Sequence, residues 1–155
     1  MATGYFDSNG DPWLEIEISG PFSNPSKTQC LIDTGFTGFL SMPFLSAFPL
    51  GLILTGTMNI VFANGDIQPR LTCLGKAIFD GQTNVGVIVL EPQGNQVLLG
   101  MNFLRKFGMR LNVDPGESTV ELLPSPIPTL PIQQPLVQPN MQELSTPPAP
   151  TEQQH

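Results

Sequence analysis

From Trp13 to Leu122 the apolar residues come either in strict alternation or in short runs, and Gly, Pro or Asn soon interrupts each one. Trp13-Leu14-Glu15-Ile16-Glu17-Ile18 sets Leu14, Ile16 and Ile18 on one face and the glutamates on the other, the pattern of a half-buried strand. Thr28–Ile32, Met58–Phe62, Ile67–Leu74, Lys76–Phe79, Val85–Leu90, Val97–Leu99, Leu111–Val113 and Ser118–Leu122 read as further strands. Asn64-Gly65 between two β-prone runs predicts a tight hairpin in which both turn residues take positive φ. Helical spacing is confined to Met101–Phe107, where Phe103, Leu104 and Phe107 recur on one side and Gly108 supplies the stop. A single helical turn is also expected at Ser41-Met42-Pro43, with Ser41 as its cap. The chain is therefore expected to be all-β.

At 155 residues there is room for about one domain. Nine of the 17 prolines and six glutamines fall in Pro124–His155, so 124–155 reads as a Pro/Gln-rich disordered tail with too little apolar surface to order itself. The expected organisation is a polar N-terminal segment over 1–11, a folded domain over 12–123, and that tail. Six scattered Lys and Arg against a net charge of -7 offer no basic stripe, which argues against a nucleic-acid partner. No apolar run reaches the length of a membrane span, and Met1–Gly10 lacks the parts of a signal peptide. No membrane partner and a cytoplasmic location are expected.

The side chains that do chemistry are few. His155, the last residue, is the single histidine, so no imidazole is held where a Ser-His-Asp or Cys-His arrangement needs one. Cys30 and Cys73 both sit in apolar strand-like stretches and read as buried free thiols. Zinc sites of the Cys/His kind are excluded on the same grounds, and neither a metal nor a cofactor is expected. Hydrolysis, if it occurs, falls to carboxylates. Asp33 is the candidate, because the strand Thr28–Ile32 delivers it directly into the turn Thr34-Gly35. Asp-Thr-Gly is also a sound strand-ending turn with no chemistry attached, and the downstream sequence has to decide between the two.

Leu31-Ile32-Asp33-Thr34-Gly35, then Phe62-Ala63-Asn64-Gly65-Asp66, then Leu98-Leu99-Gly100-Met101-Asn102-Phe103-Leu104 resemble, in that order, the motifs of the retropepsin-like aspartic proteases. The small bacterial members are the nearest in pattern, and the resemblance covers roughly residues 12–123. It implies an all-β, single-lobe acid protease barrel with one short C-terminal helix, completed as a homodimer. It further implies a homodimeric aspartic endopeptidase in which Asp33, Thr34 and Gly35 form the catalytic turn. Phe36, Leu98, Leu99 and Gly100 are the implied substrate-binding wall. Phe62, Ala63, Asn64 and Gly65 are the implied tip of a flap that closes over an extended peptide or protein substrate. The chain has one Asp-Thr-Gly, so the second aspartate must come from a second copy.

Two places depart from the retroviral pattern. An acidic residue four positions after the catalytic Asp and an Arg after the later Gly pair with each other in that group. Here Thr37 and Met101 stand there, so both partners are missing together. The alternative implied by those changes is a catalytically weak or inactive dimerisation or peptide-binding module on the same fold.

Overall fold

The structure, a computed structural model, describes residues 2–126. The tail assigned to 124–155 lies outside the described residues from 127 onward. The strands within residues 2–126 are β1 (Ala2–Phe6), β2 (Pro12–Ser19), β3 (Ser26–Ile32), β4 (Leu40–Pro43), β5 (Ile53–Val61), β6 (Ile67–Phe79), β7 (Gln82–Glu91), β8 (Val97–Leu99), β9 (Met109–Asp114) and β10 (Thr119–Pro124). A one-turn helix α1 (Phe44–Ala47), continued by a 3-10 turn at Phe48–Leu50, follows β4, and α2 (Met101–Phe107) follows β8.

Six of these strands close on themselves. β2 pairs with β3, β3 with β8, β8 with β4, β4 with β7, β7 with β6, and β6 returns to β2 through Glu17↔Ile78, Ile18↔Ala77 and Ser19↔Lys76. A closed ring leaves no unpaired edge among its members, and its interior is filled by inward-pointing side chains. The alternation of β2 does what its spacing predicts: Leu14, Ile16 and Ile18 are buried in the core. Cys30, Leu40, Met42, Ile88 and Leu99 meet them there from the other strands.

Helix α2 caps one side of this core with a phenylalanine cluster. Phe103 stacks on Phe107 at 4.4 Å between ring centroids and lies 5.5 Å from Phe39 and 6.0 Å from Phe79. Gly108 ends the helix as expected, in the left-handed region at φ 62, with its N–H donating to the carbonyls of Leu104 and Arg105.

Several local expectations fail for identifiable reasons. Residues 2–6, placed in a polar segment ahead of the domain, form β1, which pairs with β10 through Ala2–Gly4 and with β2 through Tyr5 and Phe6. Ser41 is not a helix cap: it lies buried in β4, whose two neighbours β7 and β8 satisfy it from both sides. Tertiary pairing outweighs the poor strand propensity of Pro43, which sits at the strand's last position. The two runs Ile67–Leu74 and Lys76–Phe79 are a single strand. Gly75 lies inside it because a side chain there would run into Ile88 and Leu52. At the Asn64-Gly65 hairpin only Gly65 takes positive φ, at 86. The reversal is a three-residue loop over 63–65, flanked by the bond from the Phe62 N–H to the Asp66 carbonyl and with the Gly65 N–H on the Phe62 carbonyl, not the two-residue turn expected. The two-residue form occurs instead at Asp80 and Gly81, both with positive φ, between the paired residues Phe79 and Gln82.

Both cysteines are buried and free, as their apolar settings predict. Burial pushes the Cys30 thiol up to about 12 and raises that of Cys73 as well. A thiol held protonated is a poor nucleophile. Neither cysteine should react with iodoacetamide in the folded protein at neutral pH, and both should react once it is unfolded, as read by intact mass.

Candidate active site

The site is built by the insertion of β8 between β3 and β4. β8 runs parallel to β3, with Leu31↔Leu98 and Ile32↔Leu99, and antiparallel to β4, with Leu40↔Leu99 and Ser41↔Leu98. The connection from Asp33 to Phe39 therefore has to pass across the end of β8. Its backbone groups are satisfied there, as a segment at the edge of a core requires. The Asp33 N–H donates to the Leu99 carbonyl at 3.0 Å. The N–H groups of Gly100, Met101 and Asn102 donate to the carbonyls of Phe39, Phe36 and Gly38 at 3.1, 2.8 and 3.0 Å. Four bonds thus lock the Asp33 turn onto the start of α2.

Two glycines let the pieces approach that closely. A Cβ on Gly100 would overlap the carbonyl oxygen of Gly38 and the ring of Phe36, and one on Gly38 would overlap the same ring. Phe36 is half-buried between them.

Within the turn, the Gly35 N–H donates to Asp33 Oδ1 at 2.9 Å, and the Phe36 N–H donates to the Asp33 carbonyl at 3.2 Å. The first bond orients the carboxylate and the second closes the backbone of the turn. Asp33 is half-buried, and Thr34 and Gly35 are exposed. Against a Cβ on Gly35 the only heavy atom within 4 Å is Asp33 Oδ1, so space stays open above the turn. The arrangement presents an oriented, half-buried carboxylate on a hydrogen-bonded loop.

Asp33, Thr34, Gly35, Phe36, Leu98, Leu99 and Gly100 are therefore brought together. Leu99 is fully buried in the core and serves the site through its carbonyl, not through contact with a bound molecule. Leu98, on the opposite face of β8, is half-buried. Phe62, Ala63, Asn64 and Gly65 form a separate group at the tip of the β5–β6 hairpin. Among the described residues no hydrogen bond or ring contact joins them to the Asp33 turn. The tip is ordered by its own bonds: the Phe62 N–H to the Asp66 carbonyl at 2.9 Å, and Asn64 Nδ2 to Asp66 Oδ2 at 2.7 Å. Thr37 and Met101 are exposed and carry no charge pair.

Sequence reading missed Gly38 and Phe39, whose carbonyls fasten the start of α2. The repeated Gly at 35 and 38 was the available signal. It also missed Arg70, one of the two cations of β6 beside Lys76, and Glu91, which ends β7; Arg70 and Glu91 are ion-paired at 2.9 Å.

No protein-family profile and no curated protein matches this sequence. Solved structures do resemble it. The EIAV protease complexed with the inhibitor HBY-793 superposes with a TM-score of 0.55 at 14% identity, over 70% of this chain and 98% of that one. A retropepsin-like aspartic protease from Rickettsia conorii superposes with a TM-score of 0.51 at 17% identity, over 76% of this chain and 86% of that one. The barrel with its inserted β8 is a retropepsin-like fold.

Proposed function

We propose that this protein is a homodimeric aspartic endopeptidase whose reacting groups are two Asp33 carboxylates, one from each copy. The observation that carries the reading is the Asp33 turn itself: a half-buried carboxylate held by the Gly35 N–H, on a backbone fixed by the bond from the Asp33 N–H to Leu99. A single carboxylate cannot act as both base and acid on one water. Two held close together cannot both ionise, so they share one proton and divide the roles. The ionised carboxylate takes a proton from a water molecule, whose oxygen bonds to the scissile carbonyl carbon. The protonated one hydrogen-bonds the carbonyl oxygen, and a proton passes to the departing amine as the C–N bond breaks.

The other residues take supporting roles. Thr34, exposed beside Asp33, bonds across the two-fold axis to the partner copy. Gly35 admits the substrate backbone close to the carboxylates. Phe36 and Leu98 wall the side-chain pocket. The tip residues Phe62, Ala63, Asn64 and Gly65 cover an extended substrate, which pairs its backbone as an added strand, and exclude water from the cleft.

A site shared between two copies makes activity depend on concentration. Specific activity on an unstructured protein substrate should rise with enzyme concentration and level off as the dimer forms, in step with the dimer fraction from sedimentation velocity. A statine-type inhibitor, whose hydroxyl takes the place of the attacking water, should abolish it. Specific activity that is flat through the monomer-to-dimer transition would overturn the shared site. A dimer that binds peptides without cleaving them would make the protein a binding module.

A further inference from the structure

The β5–β6 hairpin has little apolar packing to hold it. β7 begins to pair with β6 only at Thr72, so residues 67–71 have β5 as their one strand neighbour. Nearly every residue of β5 is exposed. Two strands without a third are marginal in water, and Pro69 removes a ladder donor from the free part of β6. Core burial does little to fix the pose of its outer part.

Arg70 is placed to do so. It is half-buried amid exposed neighbours, and its Nε donates to Glu91 Oε2 at 2.9 Å. Their side chains are only 13% and 25% exposed, which sets this pair apart from the exposed Lys27–Glu15 pair at 71% and 46%. Shielding from water strengthens a charge-assisted hydrogen bond where exposure would all but cancel it. The remaining guanidinium donors are used locally, Nη1 on the Pro69 carbonyl at 3.1 Å and Nη2 on Gln68 Oε1 at 2.9 Å. The guanidinium also lies 5.2 Å from the ring centroid of Phe62, the residue that opens the tip turn.

On the barrel side, Glu91 is the last residue of β7, paired with Pro43, and it begins the short loop into β8. A polar cavity of about 370 Å³, lined by Gln68, Arg70, Glu91, Pro92, Gln93 and Gly94, occupies this seam, beside a smaller apolar one between Pro69 and Leu71 of the hairpin and Phe44, Leu90 and Pro92 of the barrel. One guanidinium thus spans from the hairpin tip to the end of β7.

We propose that Arg70 is a positioning residue: its pair with Glu91 and its stacking on Phe62 hold the β5–β6 hairpin in a single pose against the barrel. Its consequence for cleavage rests on the endopeptidase reading, but the tether itself does not. Three variants of the full chain test it: Arg70→Met, Glu91→Gln, and the exchanged pair Arg70→Glu with Glu91→Arg. Hydrogen exchange at the amides of 57–70 should quicken about tenfold in either single variant, with core amides unchanged, because a hydrogen bond to a charged group is lost from a local opening. The exchanged pair should restore slow exchange. Where cleavage is measured, KM should rise about fivefold with kcat within about twofold, since the hairpin must then be ordered by the substrate.

Unchanged exchange at 57–70, or an equal acceleration in hairpin and core, would overturn the tether. Absence of cleavage in the parent chain, together with selective acceleration in Arg70→Met, would keep the tether and discard the endopeptidase reading.

Discussion

On the proposed mechanism, Asp33→Asn should lower kcat/KM for peptide cleavage by about 10²- to 10⁴-fold through loss of the acid–base group, and should leave the fold and the proposed dimer in place. Asn keeps an oxygen that accepts the Gly35 N–H and changes no volume, so the turn retains its internal bond. The backbone bond from residue 33 to Leu99 does not involve the side chain at all. Stability should change by no more than about 0.5 kcal/mol. Only the capacity to take up and release a proton is lost. The check is kcat/KM on a peptide substrate beside sedimentation velocity of the same sample. Cleavage retained in this variant would remove the carboxylate from the mechanism.

Phe103→Ala has the largest expected effect on stability. The ring is fully buried, stacked on Phe107 and in contact with Phe39 and Phe79. Truncation removes the transfer free energy of the ring and leaves a cavity that three aromatic neighbours cannot fill without leaving their own contacts. The cost should be about 3–5 kcal/mol, against a total of about 5–15 kcal/mol for a domain. Calorimetry should show Tm lower by about 10–20 °C. The damage also reaches the site, because the Phe39 ring packs on Phe103 while its carbonyl holds Gly100. Phe103→Leu, which keeps most of the volume, should cost only about 1–2 kcal/mol. Equal effects from the two variants would mean that the aromatic cluster is not what anchors α2.

What could be read from the residues was local. The alternation in β2, the strand running into Asp33, and the helix closed by Gly108 each rest on neighbours within a few positions. What escaped was set by partners far away in sequence. Ala2–Phe6 carries little apolar pattern and is a strand because Leu122, Glu121 and Val120 pair with it. Leu40–Pro43 contains a proline, yet β7 and β8 impose a strand on it. The pair Arg70–Glu91 joins residues 21 apart, and no local pattern singles out which carboxylate an isolated arginine will meet. At the candidate site the Asp33 turn was legible as a motif, while the carbonyls of Phe36, Gly38 and Phe39 that fasten it carry no side-chain signal at all.

β1 lies between β2 and β10, with Ala2 opposite Leu122. β1 is synthesised before every other described strand, yet it finds one of its two neighbours only when nearly all of the described domain has been made. Until then its outer edge is unpaired and open to a neighbouring chain. The closing of such a distant pair is a high-contact-order step, which sets it late and slow in folding. The earliest of the described strands is thus among the last to complete its pairing.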